Sequence, residues 1–514
     1  MLFFTALVPI ALLIIMIGAL KTSPVYASLA ALASSTAAAL LFFRQKPVLI
    51  LLSAAEGSAM ALWPIIIVIA AAIFSYNYIS ETGRMETVKK IILAFSSEKS
   101  IQVLLLAWGL GNFLEGIAGY GTAVAIPAGI MTALGFNPFY SAVICLLANT
   151  VSTALGAVGI PAMTLALMTN LDLSTLTAFI AFQLLPVTLL IPFLLVIVNE
   201  RSLKKALRFF PEAAAGSFGF ASVNLLSALF IGPQLATILA SISGTVFIIG
   251  ASLLRKAAAG KNTTEIPCGS TAVPMKKIFD AVFVYVLVLL FIALASPLFP
   301  AVRGYLDSFS TEFKFYPESS GKIIRFYWIS TPGVLIALAV FFSSILSGDG
   351  LSLPFLILIR TAGKLGKTSL TIISLVASAT IMRYSGMIEA LASGTAEITG
   401  SLYPLFSPFV GALGTFLTGS DTSSCILFGE FQKDVALSLG ISGYWLASAN
   451  IAGATAGKMI APQSIAIAAA AAGIGGREGD LFHYLLPFCF VYLLILGLII
   501  YFFNYSSALF SLFF

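Results

Sequence analysis

Apolar runs of about 20 residues recur along this chain, each long enough to cross roughly 30 Å of hydrocarbon, and they leave few alternatives to a membrane-spanning fold. Composition agrees, since 59% of the 514 residues are hydrophobic and 9% are charged, against about 25% charged in an ordinary soluble domain. In lipid every backbone polar group must find its partner within the segment, so runs of this length fold as helices. The net charge of +6 arises from short Lys and Arg clusters between the runs; these set orientation and do not form a nucleic-acid surface. Cys145, Cys425 and Cys489 lie in apolar stretches and Cys268 in a basic loop, so neither a disulfide framework nor a CxxC site is written.

Residues 1–20 have no basic residue before them and read as a first helix rather than a secretory signal. Further spans centre on 26–43, 61–80, 138–168, 174–198, 212–231, 233–254, 278–298, 328–347, 367–386, 443–472 and 483–503, which predicts an all-α polytopic membrane protein with about twelve crossings. Two more apolar stretches, 101–134 and 403–439, are interrupted by small and polar residues, as GNFLEGIAGYGTAVAIPA and GTFLTGSDTSSCILFG. The densest basic clusters, Arg201, Lys204, Lys205 and Arg208, then Arg255, Lys256, Lys261, Lys276 and Lys277, mark cytoplasmic loops. Counting outward places Arg84, Lys89, Lys90, Lys99, Arg360, Lys364, Lys367 and Arg477 on the same side, with Arg44 and Lys46 against the trend.

The chain also matches itself. At one constant offset Gly83 and Glu86 align with Gly386 and Glu389, and Gly111, Phe113, Leu114 and Gly116 with Gly414, Phe416, Leu417 and Gly419. At a slightly shorter one Ala148, Asn149, Gly156 and Pro161 align with Ala449, Asn450, Gly457 and Pro462. Basic residues follow the Gly83 span but precede the second copy's span, so the copies are expected to be inverted. Inverted repeats with interrupted apolar segments at matching places are the signature of a secondary transporter, whose site lies at the repeat interface near the midplane. The expected organisation is an N-terminal helix (1–25), repeat 1 (26–199, re-entrant hairpin 101–134, broken helix 138–168), a central segment (200–327) and repeat 2 (328–514, re-entrant hairpin 403–439, broken helix 443–472).

Charge inside such runs is scarce and therefore informative. Glu115 sits in the first interrupted stretch; burial disfavours the charged form of a carboxyl, so such a Glu can load and release a proton near neutral pH. A structural carboxylate accepting tip amides is the plainer alternative. In the second stretch Thr418, Ser420, Thr422, Ser423 and Ser424 surround Asp421, where free amides and the helix dipole attract a carboxylate ligand; helix capping accounts for one of these residues, not all. Asp421 itself reads as a proton acceptor, a cation ligand or the partner of a lysine. That lysine is Lys458, between Gly457 and Pro462, which contacts a substrate carboxylate or pairs with Glu115 or Asp421. Breaks before Pro161 and Pro462 free backbone groups near Asn149 and Asn450. His483 reads as a solvated loop residue, and Arg383 and Tyr384 as anchors of a helix end at the interface. No P-loop, HExxH or histidine metal cluster is present in the sequence, so neither ATP-driven pumping nor a metal site is expected.

The stretches quoted above, together with AGKMIAPQSIAIA and the following GREGD, resemble the lactate permease family within the ion transporter superfamily. The resemblance implies proton-coupled symport of L-lactate, with D-lactate and glycolate as co-substrates, through the plasma membrane, and an elevator-like motion of hairpins and broken helices against a scaffold. On this reading the chain is no enzyme and needs no cofactor beyond the coupling proton. Its partners are a small monocarboxylate and the bilayer, with a homo-oligomer left open. Lys458, Thr422, Ser423 and Ser424 would meet the carboxylate, and Asn149, Asn450 or Gln463 would read the 2-hydroxyl. Gly116 and Gly119 belong to the same substrate site, and Glu115 or Asp421 would carry the proton. The alternative is a sodium-coupled carrier of another organic anion on the same architecture; a channel or a membrane hydrolase would have no need of the repeat.

Overall fold

Proline sets many of the helix starts. Pro24, Pro47, Pro138, Pro233, Pro300, Pro332 and Pro462 each open a helix, where the missing N–H is no loss and the fixed φ is already helical. Other starts are capped by side chains: Asn137 accepts from the amides of Phe139 and Tyr140 at 3.0 and 3.3 Å, and Asp172 accepts from the Thr175 amide at 2.8 Å. The computed structural model describes residues 2–20, 22–87, 98–119, 121–258, 275–295, 299–317 and 323–503. Lys89, Lys90, Lys261 and Cys268 lie outside the described residues.

The described chain is almost wholly helical. In order it forms α1 (Leu2–Ile14), α2 (Pro24–Leu41), α3 (Pro47–Met60), α4 (Ile67–Glu81), α5 (Lys99–Ile117), α6 (Thr122–Ala133), α7 (Pro138–Ala148), α8 (Ile160–Thr169), α9 (Leu173–Glu200), α10 (Phe210–Phe230), α11 (Pro233–Ala258) and α12 (Met275–Leu294). It continues with α13 (Pro300–Asp307), the antiparallel pair β1 (Ser310–Phe313) and β2 (Ile324–Tyr327), α14 (Pro332–Leu346), α15 (Ser352–Lys364), α16 (Gly366–Tyr384), α17 (Met387–Thr399), α18 (Tyr403–Thr418), α19 (Asp421–Ser438), α20 (Gly443–Ile460), α21 (Pro462–Ala471) and α22 (Glu478–Phe503). Among the described residues eight helical runs are long and apolar enough to cross a membrane, or nine if α15 and α16, bent by 55°, count as one. Large apolar side chains face outward along them, Leu41 at 72% and Leu254 at 73% exposure, as a lipid-facing surface requires.

Besides the short α13, three helices were not among the expected spans. The helices α3, α15 and α17 are 13 or 14 residues long, and each carries a charge (Glu56, Arg360, Glu389) that interrupts the apolar run. The two interrupted stretches are helix–turn–helix units, α5–α6 and α18–α19, and the stretches after them are helices with breaks. The first break spans 149–159 between α7 and α8; the second is the single residue Ala461 between α20 and α21, at φ −60° and ψ 129°.

The units exchange partners. Gly121 at the start of α6 packs on Ile467 of α21, and Gly429 of α19 packs on Leu165 of α8, so each hairpin lies against the helix that follows the other hairpin's break. Backbones meet even more closely between α18 and α20: a methyl group on Gly411, Gly453 or Gly457 would collide with the carbonyl oxygens of Asn450, Pro408 or Ala412. Only glycine permits that approach.

Candidate functional site

Where the hairpin tips meet the two breaks there is a cavity of about 280 Å³. Each tip turns through left-handed glycines, Gly119 (φ +62°) and Gly121 (φ +84°) in the first, Gly419 (φ +71°) in the second, a conformation that costs glycine nothing. Ser420 caps α19, its hydroxyl accepting from the Ser423 amide at 3.3 Å. The wall is built largely from helix beginnings: Ser23 and Pro24 of α2, Gly121 and Val124 of α6, Ile160 and Pro161 of α8, Lys367 and Thr368 of α16, Asp421 to Ser423 of α19, and Gln463 and Ser464 of α21. Each such end brings the positive pole of a helix dipole to the wall, and their convergence favours negative charge in the cavity.

Four charged side chains line this cavity among the described residues: Glu115, Asp421, Lys458 and Lys367. Lys458 donates to the Gly419 carbonyl at 2.8 Å, which pins the α20 lysine to the opposing tip, while the Gln463 side chain lies directly over Gly419. Asp421 accepts from the Thr415 hydroxyl at 3.0 Å through Oδ1. Its Oδ2, Glu115 Oε2 and Asn149 Oδ1 are buried and have no hydrogen-bond partner among the described residues. Glu115 lies against Gly119 and Gly156, beside the Asn149 amide and within reach of the charges on Lys458 and Asp421. Three buried acceptors without donors carry a free-energy penalty until something donates to them.

Of the residues singled out from sequence, Glu115, Gly119, Asn149, Asp421, Thr422, Ser423, Lys458 and Gln463 share this cavity. Ser424, Asn450 and Gly116 do not line it. Ser424 points into the hairpin and donates to the Gly411 carbonyl at 2.8 Å; Asn450 sits mid-helix with its amide 3.4 Å from the Ser424 carbonyl; Gly116 packs against Ile238 of α11. Sequence reasoning passed over Ser23, Thr153, Lys367, Thr368 and Thr371, which also line the wall. The Ser23–Pro24 pair was readable as a helix start; nothing in its spacing said what it faces.

Two further expectations change. Arg383 does not anchor an interface: it is 9% exposed and pairs with Glu430, 8% exposed, while also donating to the Met168 carbonyl. Tyr384 donates to Glu56 at 2.7 Å and stacks on Tyr316 with ring centres 4.0 Å apart. His483 is exposed as expected, but within the first turns of α22 rather than in a loop.

Fold and site together define the class: a polytopic helical membrane protein whose hairpin tips and helix breaks enclose a polar, anion-receptive cavity, as a solute transporter requires. The comparison with known proteins narrows it. The family model described as L-lactate permease matches residues 2–506, and the chain belongs to that family. It is 39% identical over 393 residues to an L-lactate permease of Streptococcus iniae, covering 76% of this chain and 82% of that protein. It is 33% identical to the glycolate permease GlcA of Escherichia coli (strain K12), covering 87% and 85%, and 31% identical to an L-lactate permease of Bacillus subtilis (strain 168), covering 87% and 86%. The chain is therefore a transporter and not an enzyme, and a multi-pass protein of the plasma membrane.

Proposed function

We propose that this protein is a secondary carrier that moves small 2-hydroxymonocarboxylates, L-lactate with D-lactate and glycolate as co-substrates, in symport with protons. The observation that carries this reading is the convergence of six helix beginnings and Lys458 on a cavity that also holds two buried carboxyls, each with one oxygen unpartnered among the described residues. The substrate carboxylate is met by Lys458, the α19 amides and the hydroxyls of Thr422 and Ser423. Its 2-hydroxyl donates to Asn149 Oδ1. Glu115 carries the proton, since Asp421 already holds the Thr415 hydroxyl. The relatives named for L-lactate and glycolate support the substrate class.

Part of the same proposal is a topology of twelve crossings with two re-entrant hairpins in an inverted repeat. The reciprocal packing of α6 on α21 and α19 on α8 supports it, because the same pairing of hairpin arm and post-break helix recurs in the two copies. Hairpins and breaks then move as one body past α2 and α16, in an elevator-like exchange of access that releases the Arg383–Glu430 pair between α16 and α19. With the basic clusters cytoplasmic, the exposed Ser23 and Lys367 set the cavity mouth on the cytoplasmic side.

Labelled L-lactate uptake into proteoliposomes under an inward proton gradient, without sodium, tests the reading. Accumulation abolished by a protonophore and by Lys458→Ala is expected; loss of a charge-assisted contact weakens binding by about 10- to 100-fold. Unpartnered oxygens are also cation ligands, so uptake that appears only when sodium is added would move the coupling ion to sodium.

A further inference from the structure

Lys367 is the second residue of α16, and with Thr368 and Thr371 it forms one strip of the cavity wall. This helix belongs to neither hairpin; its Val376 and Ala377 pack against Gly57 of α3. Lys367, Thr368, Ser23 and Pro24 are exposed, whereas Asp421, Glu115 and Asn149 in the same cavity are 3%, 4% and 3% exposed. The wall thus grades from a wet rim carrying one lysine to a dry floor reached by another.

Two cations nearby show what a structural charge on these helices looks like. Arg360 of α15 pairs with Glu81 at 3.8 Å, and Arg383 at the far end of α16 pairs with Glu430. Lys367 has no acidic partner among the described residues. Orientation alone explains a cytoplasmic lysine, yet Lys364, one turn earlier, meets that need without lining the cavity.

Resting on the carrier reading above, we propose that Lys367 is an outer station for the substrate anion. It draws the carboxylate to the mouth, where the Thr368 hydroxyl donates to it while Thr371 stays bonded to the Lys367 carbonyl at 3.0 Å, and passes it inward to Lys458. A charge at the mouth of a low-dielectric cleft raises the local anion concentration and the capture rate, and salt screens that effect. Because Lys367 stands at one rim, its contribution is sided: it acts on substrate arriving from the cytoplasmic face.

The test measures initial L-lactate fluxes from each face in oriented proteoliposomes for wild type, Lys367→Gln and Lys367→Arg, at low and high salt. Expected for Lys367→Gln is a KM at the cytoplasmic face raised about fivefold, a smaller loss of maximal rate, a flattened salt dependence and an unchanged KM at the outer face. Lys367→Arg, which keeps the charge, should restore both KM and salt dependence. An unchanged cytoplasmic KM in Lys367→Gln overturns the proposal. So does an equal rise in KM at both faces, which would make Lys367 part of the loaded site. A wild-type protein that moves no small carboxylate overturns the underlying carrier reading instead.

Discussion

Arg383 and Glu430 form a buried ion pair between α16 and α19, and the same guanidinium reaches the Met168 carbonyl at the end of α8. Lys433 reinforces the junction, donating to the Thr169 carbonyl at 3.2 Å and lying 3.8 Å from Glu430. One arginine therefore ties the wall helix to both a hairpin arm and the end of a broken helix, at the opposite end of α16 from the cavity's exposed rim.

Removing Arg383 takes away the nearest cation of a buried carboxylate and leaves Glu430 only Lys433, 3.8 Å away. Arg383→Ala should lower stability by about 3–5 kcal/mol, seen as an earlier thermal transition of the detergent-solubilised protein. The double change Arg383→Met with Glu430→Leu should recover most of the loss. If Arg383→Ala melts with the wild type, the pair contributes nothing.

The proposed proton carrier is Glu115, with Asp421 held by the Thr415 hydroxyl. Glu115→Gln cannot release a proton, so proton-driven accumulation of L-lactate should vanish while exchange of lactate for lactate persists. A coupling ion must bind differently in loaded and empty carriers, and only net transport needs the empty one. Accumulation retained in both Glu115→Gln and Asp421→Asn would remove these carboxyls from the proton path.

The three unpartnered acceptors make a prediction about substrate. A 2-hydroxy acid brings a donor to Asn149 Oδ1, whereas a 2-oxo acid brings only acceptors. Pyruvate should therefore compete with L-lactate about 10- to 100-fold more weakly than glycolate does, from the penalty of a buried acceptor left bare. Competition assays in the same vesicles decide it, and equal potency of pyruvate would contradict the assignment of Asn149.

Gly453 has no room for a methyl group against Pro408, while Gly250 of α11 has open space around it. Gly453→Ala should cost about 1–3 kcal/mol by overpacking and reduce the yield of monodisperse protein. Gly250→Ala should leave yield and melting unchanged, which separates a packing fault from a general intolerance of substitution.

The helical class, the two helix–turn–helix units and the helix breaks were legible because membrane segments announce themselves by length and by the polar residues that interrupt them. Glu115, Asp421 and Lys458 were legible as cavity residues for the same reason: a lone charge in an apolar run must have somewhere to go. Geometry was less readable. Asp421, Thr422, Ser423 and Ser424 fill one turn of α19, and at about 100° per residue a single turn faces every direction, so one of the four had to point away from the cavity. Sequence does not say which; the structure turns Ser424 toward Gly411. Asn149 and Asn450 align in the repeat, yet α7 ends at Ala148 while α20 runs on to Ile460, so one lies at a break and the other inside a helix. Lys367 was hidden among basic residues that topology alone accounts for.

The exchange of partners between hairpins also bears on how the chain is made. Synthesis delivers Gly121 and Leu165 long before Ile467 and Gly429, against which they pack, and chains otherwise fold from the N-terminal end as they emerge. The first half of the protein must therefore wait in the bilayer with its hairpin unmatched until the last hundred residues arrive. Neither half is a self-sufficient piece, and biogenesis of this carrier is a commitment made near the end of translation.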